Sequence, residues 1–202
     1  MKQILVMMAA VVLVGCSNDT PESSQAAQAE AQVTPAPSPE PDPVLPVDEK
    51  LIVEKAVRKS LKKPDGQLTE ADLQKVTGLD LDRTQITDVG LKDVAKLQKL
   101  EKLLLAETQI TDAGLKDVAK LQQLRYLDLA ETQITDAGLK EVAKLQNIVW
   151  LSLISTKTTD AGLKELAKLQ NLTDLHLSGT KITVAGVAEL KKALPNLRIF
   201  GP

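Results

Sequence analysis

Five threonines stand 24 residues apart, at Thr84, Thr108, Thr132, Thr156 and Thr180, and the spacing does not drift. A fixed period of this length marks a repeat in which each unit is one supersecondary element that must stack on its neighbours to bury its apolar face. Around each threonine the chain reads LxLxxTxIT, as in Leu103, Leu105, Thr108, Ile110 and Thr111, with Thr158 replacing the isoleucine in the fourth copy. Leucines at period two put one face of a short strand inward, and the following GLKDVAKL stretch returns Leu115, Val118 and Ala119 at helical spacing. Strand and helix therefore alternate, which is an α/β pattern. Asp88, Asp112, Asp136 and Asp160 fall just before the helical stretch, where a carboxylate is expected to accept backbone N–H bonds, with Thr87, Thr111, Thr135 and Thr159 sharing that role.

These residues resemble the leucine-rich-repeat family, in a bacterial variety with threonine at the consensus asparagine or cysteine position. The resemblance covers Leu79 to about Gly201. It implies a short, curved, right-handed horseshoe with parallel strands on the concave side, helices on the convex side and a buried polar ladder. Residues 78–202 hold about five copies, and departures at Val184, Lys191 and Pro195 lead us to expect a C-terminal cap there. Over residues 47–77, Leu51, Ile52, Ala56, Val57 and Leu61 have the spacing of an amphipathic helix, and Thr69 to Asp72 that of a second, capped helix. Together they are expected to close the open edge of the solenoid. The stretch from Asp65 to Asp72 looks like the latter half of an EF-hand loop, but Leu61 and Lys63 occupy the first two ligand positions and cannot supply carboxylates.

Residues 1–15 have a signal-peptide layout, with Lys2, an apolar run over residues 4–14, then Gly15. Spanning a bilayer takes about 20 apolar residues, more than this run supplies. Leu13, Val14, Gly15 and Cys16 resemble the lipobox of bacterial lipoproteins, which implies that Cys16, the only cysteine, becomes the lipid-bearing first residue of the mature chain. Ser17 in place of Asp points to the outer membrane under enteric-type sorting. Residues 17–46 carry seven prolines and no Lys or Arg, a composition that reads as a disordered, Pro-rich tether. The expected location is the bacterial cell envelope, with the folded part lipid-anchored and periplasmic or surface-exposed.

If the repeated leucines point inward, the residues between them form columns on the concave face. One is Gly78, Lys102, Tyr126, Trp150 and Asp174; the next is Asp80, Leu104, Asp128, Ser152 and His176; the third is Asp82, Ala106, Ala130, Ile154 and Ser178. Two of the chain's three aromatics, Tyr126 and Trp150, are neighbours in the first column. With Leu104 and Ile154 they make an apolar patch flanked by Asp128, Ser152 and His176, the kind of surface at which partners are held. Drift at variable positions would also bring two rings together.

A net charge of −2 gives no whole-chain positive field for nucleic acid. His176 is the only histidine, no Gly-rich phosphate loop occurs, and no cofactor or metal is implied. The best catalytic candidate is the carboxylate pair Glu107 and Glu131 on adjacent strands, about 4.8 Å apart in backbone, which is near the spacing of retaining glycosidases. A copied repeat explains the pair more simply, so no enzyme activity is expected. Lys92, Lys116, Lys140 and Lys164 form one convex column and Lys96, Lys120, Lys144 and Lys168 a second, interleaved with Asp93, Asp117, Glu141 and Glu165. The expected function is a membrane-anchored module that binds a protein or peptide partner on its concave face; the alternative is a structural envelope lipoprotein docking anionic polymer through those lysines.

Overall fold

The structure is a computed structural model that describes residues 48–201. The expected signal peptide, the lipid-bearing Cys16 and the Pro-rich tether lie outside the described residues. Helix α1 (Glu49–Leu61) and the single turn α2 (Glu70–Leu73) precede a regular alternation: β1 (Gly78–Asp80), α3 (Leu91–Val94), β2 (Lys102–Leu104), α4 (Asp112–Val118), β3 (Tyr126–Asp128), α5 (Asp136–Val142), β4 (Trp150–Ser152), α6 (Asp160–Leu166), β5 (Asp174–His176), α7 (Val184–Ala193) and β6 (Arg198–Phe200). The six strands form one parallel sheet in chain order. Pairing is in steps of 24 throughout, so Leu79, Leu103, Leu127, Leu151, Leu175 and Ile199 lie side by side. All but Ile199 are at most 2% exposed, and with Leu81, Leu105, Leu129, Leu153 and Leu177 they form the core between strands and helices.

Each turn after a strand is closed by the repeating threonine, whose Oγ1 donates to the carbonyl three residues earlier: Thr108 to Leu105 at 2.6 Å, Thr132 to Leu129 at 2.6 Å and Thr156 to Leu153 at 2.7 Å. These bonds stay within one repeat and satisfy a buried carbonyl. Thr158, in the slot that holds isoleucine elsewhere, is fully buried and shares a hydrogen bond of 3.1 Å with the Thr156 hydroxyl, so its polar group is not orphaned.

What ties one repeat to the next differs from the sequence expectation. Threonine, not aspartate, is the helix N-cap: the side chains of Thr111, Thr135 and Thr159 accept from the N–H two residues on. In α4, α5 and α6 the aspartate is the first helical residue, whereas Asp88 precedes α3 by three residues; in every copy the carboxylate reaches forward into the following repeat. Asp88 accepts from Thr111 N at 2.8 Å and Oγ1 at 2.6 Å; Asp112 does the same to Thr135, Asp136 to Thr159 and Asp160 to Thr183. The carboxylate thus holds the capping threonine of its neighbour, a two-point bond whose charge strengthens both arms. The glycine of each DAGL run, and Gly186 of the last helix, follows from it, because a Cβ at Gly114, Gly138, Gly162 or Gly186 would collide with the Oδ1 of the preceding repeat's aspartate.

Both ends of the solenoid obey the same rule. No repeat precedes Thr87, and Glu49 from α1 supplies the missing carboxylate, accepting from Thr87 N at 2.9 Å, Thr87 Oγ1 at 2.8 Å and Gly90 N at 2.8 Å. Helix α1 covers the edge with Val53 and Val57 buried; Leu51, expected on the inner face, is instead 45% exposed. Helix α2 begins with the expected capping box of Thr69 and Asp72, and the Asp72 carboxylate is also held by Lys63 at 2.7 Å. In α7 the aspartate position is Val184, 77% exposed. A sixth strand, β6, lies where the sequence led us to expect only a cap; Leu194 and Leu197 come one residue later than the repeat would put them, the step from Leu197 to Ile199 is one residue shorter, and β6 pairs in the same 24-residue step.

Several of these carboxylates titrate below the ordinary range: Asp160 through its bonds from Thr183, Asp174 through Arg198, Asp80 through Lys59 and Glu165 through Lys168. A depressed folded-state value stabilises the fold above the unfolded carboxylate range and is lost as pH falls through the folded value. Asp82 works in the opposite sense, raised first by burial and then by Asp128 and Asp80. Asp72, held by Lys63 and Thr69, makes a fifth depressed carboxylate, and five against one raised group predict a melting temperature that falls as pH drops below about 4. A flat melting temperature from neutral pH to pH about 2.5 would contradict this.

Candidate functional site

Strand pairing places Lys102, Tyr126, Trp150, Asp174 and Arg198 in one column of the strand face, and Leu104, Asp128, Ser152, His176 and Phe200 in the next. Of the expected binding residues, Tyr126 is 39% exposed, while Leu104, Asp128, Trp150, Ile154 and His176 are half-buried. Ser152 is corrected: expected at the surface, it is 1% exposed. Its small side chain stands between Asp128 and His176 on the adjacent strands and between Trp150 and Ile154 on its own, and these larger neighbours cover it.

The rings that touch are not the pair read from the sequence. Trp150 meets His176 with centroids 5.3 Å apart at 49°, and His176 stacks on Phe200 at 4.5 Å and 14°. The patch therefore runs diagonally over β4, β5 and β6 and ends on Phe200, 45% exposed, with Tyr126 beside Trp150 on β3. Sequence reading missed Phe200 because the departures at Val184, Lys191 and Pro195 point to a terminal cap; the signal was there, since Phe200 lies 24 residues after His176. All three aromatics of the chain lie on this one face. Stacked rings of this kind contribute about 0.5–1.5 kcal/mol per pair beyond the area they bury, and they hold the surface in a fixed shape.

Around the rings the charges are sorted. Arg198 bonds Asp174 at 2.6 Å, and Lys59 bonds Asp80 at 2.8 Å. Asp82 and Asp128 each accept one backbone N–H, from Ala106 at 2.7 Å and from Ala130 at 3.0 Å. The carboxylate pair Glu107 and Glu131 sits in the turn beyond the strands, both in the left-handed region at φ 55°. Glu107 is bound to Arg83 at 2.8 Å, an ion pair that occupies the carboxylate a two-carboxylate reaction would need. On the helix side Lys96, Lys120, Lys144 and Lys168 pair with the acid three residues before them at 2.5–2.7 Å. Among the described residues no ion pair involves Lys92, Lys116, Lys140 or Lys164.

A family model described as Leucine Rich repeat matches residues 72–95, 120–143 and 168–191, three windows each as long as the repeat and all in phase with it. No curated protein matches the sequence. Among solved structures, a leucine-rich-repeat protein of Leptospira interrogans is similar at 25% identity and a TM-score of 0.52, over 66% of this chain and 33% of that one. The chain thus spans about a third of that protein's length. Internalin C2 of Listeria monocytogenes matches at 26% identity, TM-score 0.46, over 73% of this chain and 81% of its own. The in-phase family windows and the six-stranded sheet with its outer helices make the described part a leucine-rich-repeat solenoid, a fold that commonly serves protein–protein interaction and is typically not enzymatic.

Proposed function

We propose that this leucine-rich-repeat solenoid is a lipid-anchored recognition module of the bacterial envelope, whose strand face holds a protein or peptide partner. The observation that carries the reading is the gathering of every aromatic ring of the chain on one face, three of the four rings and imidazole in contact as Trp150, His176 and Phe200. A face with Tyr126 and Phe200 exposed and half-buried Trp150 and Ile154 between them offers the aromatic anchors that dominate binding energy at interfaces. Attachment rests on the lipobox-like residues Leu13 to Cys16, and Ser17 favours the outer membrane. Cys16→Ser is expected to move the protein from the membrane fraction to the soluble fraction of cells; retention in the membrane would count against the anchor.

The test of the face is affinity capture from solubilised envelope with the full chain, beside the double substitution Tyr126→Ala and Trp150→Ala. Two anchors at roughly 2 kcal/mol each predict a loss of about a hundred-fold or more in affinity. Because the contact rests on apolar area, the parent should keep its partner at about 0.5 M salt.

A second reading is favoured by the lysine column at Lys92, Lys116, Lys140 and Lys164, free of ion pairs among the described residues: docking of anionic envelope polymer on the helix side. It predicts the opposite outcome, equal capture by both proteins and release by salt.

A further inference from the structure

The charges on the strand face are unequal in their partners, and that inequality points to the chemistry of what binds. Asp174 is answered by Arg198, and Asp80 by Lys59 and by the nearby Lys102. Asp82 and Asp128 are not. Each spends one carboxylate oxygen on a backbone N–H, and among the described residues neither has a cation bound to it. The two lie close enough for each other's charge to count, and Asp82 is held above the ordinary carboxylate range by burial and then by Asp128. Between them on β2 lie Leu104 and Ala106, both half-buried. Asp128 is two residues from Tyr126 on β3 and so stands beside the ring on the same face. From Asp128 to His176 is two strand spacings, about 10 Å, the reach of roughly three extended residues.

We infer that the strand face takes an extended peptide segment of its partner carrying a Lys or Arg, seated between Asp82 and Asp128, about three residues from an apolar or aromatic side chain that packs on Trp150, His176 and Phe200. This rests on the reading of the strand face as the binding surface and adds the chemistry of the partner. A cation placed there meets two carboxylate oxygens that the protein leaves free. An acidic segment would meet two unscreened like charges and is excluded.

The experiment is selection of a random peptide library on the full chain, run in parallel on Asp82→Asn/Asp128→Asn and on Tyr126→Ala/Trp150→Ala. Asparagine keeps the acceptors for Ala106 and Ala130, and an unchanged melting temperature verifies that the fold is kept. The parent should enrich peptides with Lys or Arg near an apolar residue, and the asparagine variant should bind the same peptides at least about ten-fold more weakly. Enrichment of neutral or acidic peptides that still depend on Tyr126 and Trp150, or equal binding by the asparagine variant, overturns the inference while leaving the face intact. Peptides that bind the alanine variant as well as the parent overturn both.

Discussion

Gly138→Ala is expected to lower the unfolding free energy by about 3 kcal/mol, the upper end of what one added methyl costs in a packed site. The added Cβ would be driven into Oδ1 of Asp112, and it also crowds Leu115 Cδ1 and Ile134 Cγ2 at 2.9 and 3.0 Å. Those two are side-chain ends that can shift, whereas Asp112 is fixed by both of its bonds to Thr135. The cost is therefore tied to the carboxylate, and a double-mutant cycle should show it. In the background of Asp112→Ala, which by itself loses two charge-assisted bonds and roughly 2 kcal/mol, adding Gly138→Ala should cost less than about 1 kcal/mol. Denaturant unfolding of the four proteins supplies the coupling. Additive losses would mean that the glycine is required by the helix packing alone.

Glu49→Ala should be almost as damaging, at about 3 kcal/mol, because one carboxylate serves three donors, and each bond to a charged acceptor contributes about 1.5–3 kcal/mol before solvent exposure reduces it. Glu49 lies at the start of α1 and its three bonds cross to Thr87 and Gly90 at the first repeat. A solenoid loses stability from its ends inward, since each repeat is held only by its neighbours. Hydrogen exchange should therefore rise first in residues 49–61 and in β1, with β3 and β4 still protected. Glu49→Gln, which keeps an acceptor but not the charge, should fall between parent and alanine. Uniform loss of protection along the chain would instead mean that α1 does not act as a local seal.

Much of this was legible in the sequence because a strict period carries three-dimensional information. Once Leu103 and Leu105 are placed inward, a 24-residue step fixes which side chains share a column, and strand pairing follows it from Gly78 to Phe200. What was not legible depended on contacts between units. The aspartate of DAGL has the position of a helix cap, and its true partner, the threonine 23 residues on, is visible only when repeats are stacked. Glu49 looks like one charge among several on an amphipathic helix until the edge it closes is seen. Ser152 has the right parity for the surface but is smaller than everything around it. On α1, Leu51 and Val53 are both apolar and only packing decides that Val53 is the buried one. In the site, the column of Tyr126 and Trp150 was readable, while the stack through His176 to Phe200 required knowing that the shift at Leu194 and Leu197 is made good before Ile199.

The most direct test of the strand face as the binding surface uses its own reporter. Trp150 is the only tryptophan of the chain and lies in the middle of the ring cluster. Its fluorescence, titrated with a neutral quencher in the presence and absence of the captured partner, reads access to this face and nothing else in the protein, provided the partner carries no tryptophan or has its own replaced. Burial of the face predicts that quenching falls several-fold at saturating partner and that the emission maximum moves to shorter wavelength. Unchanged quenching and emission with the partner fully bound would place the interaction elsewhere on the solenoid and contradict the proposal.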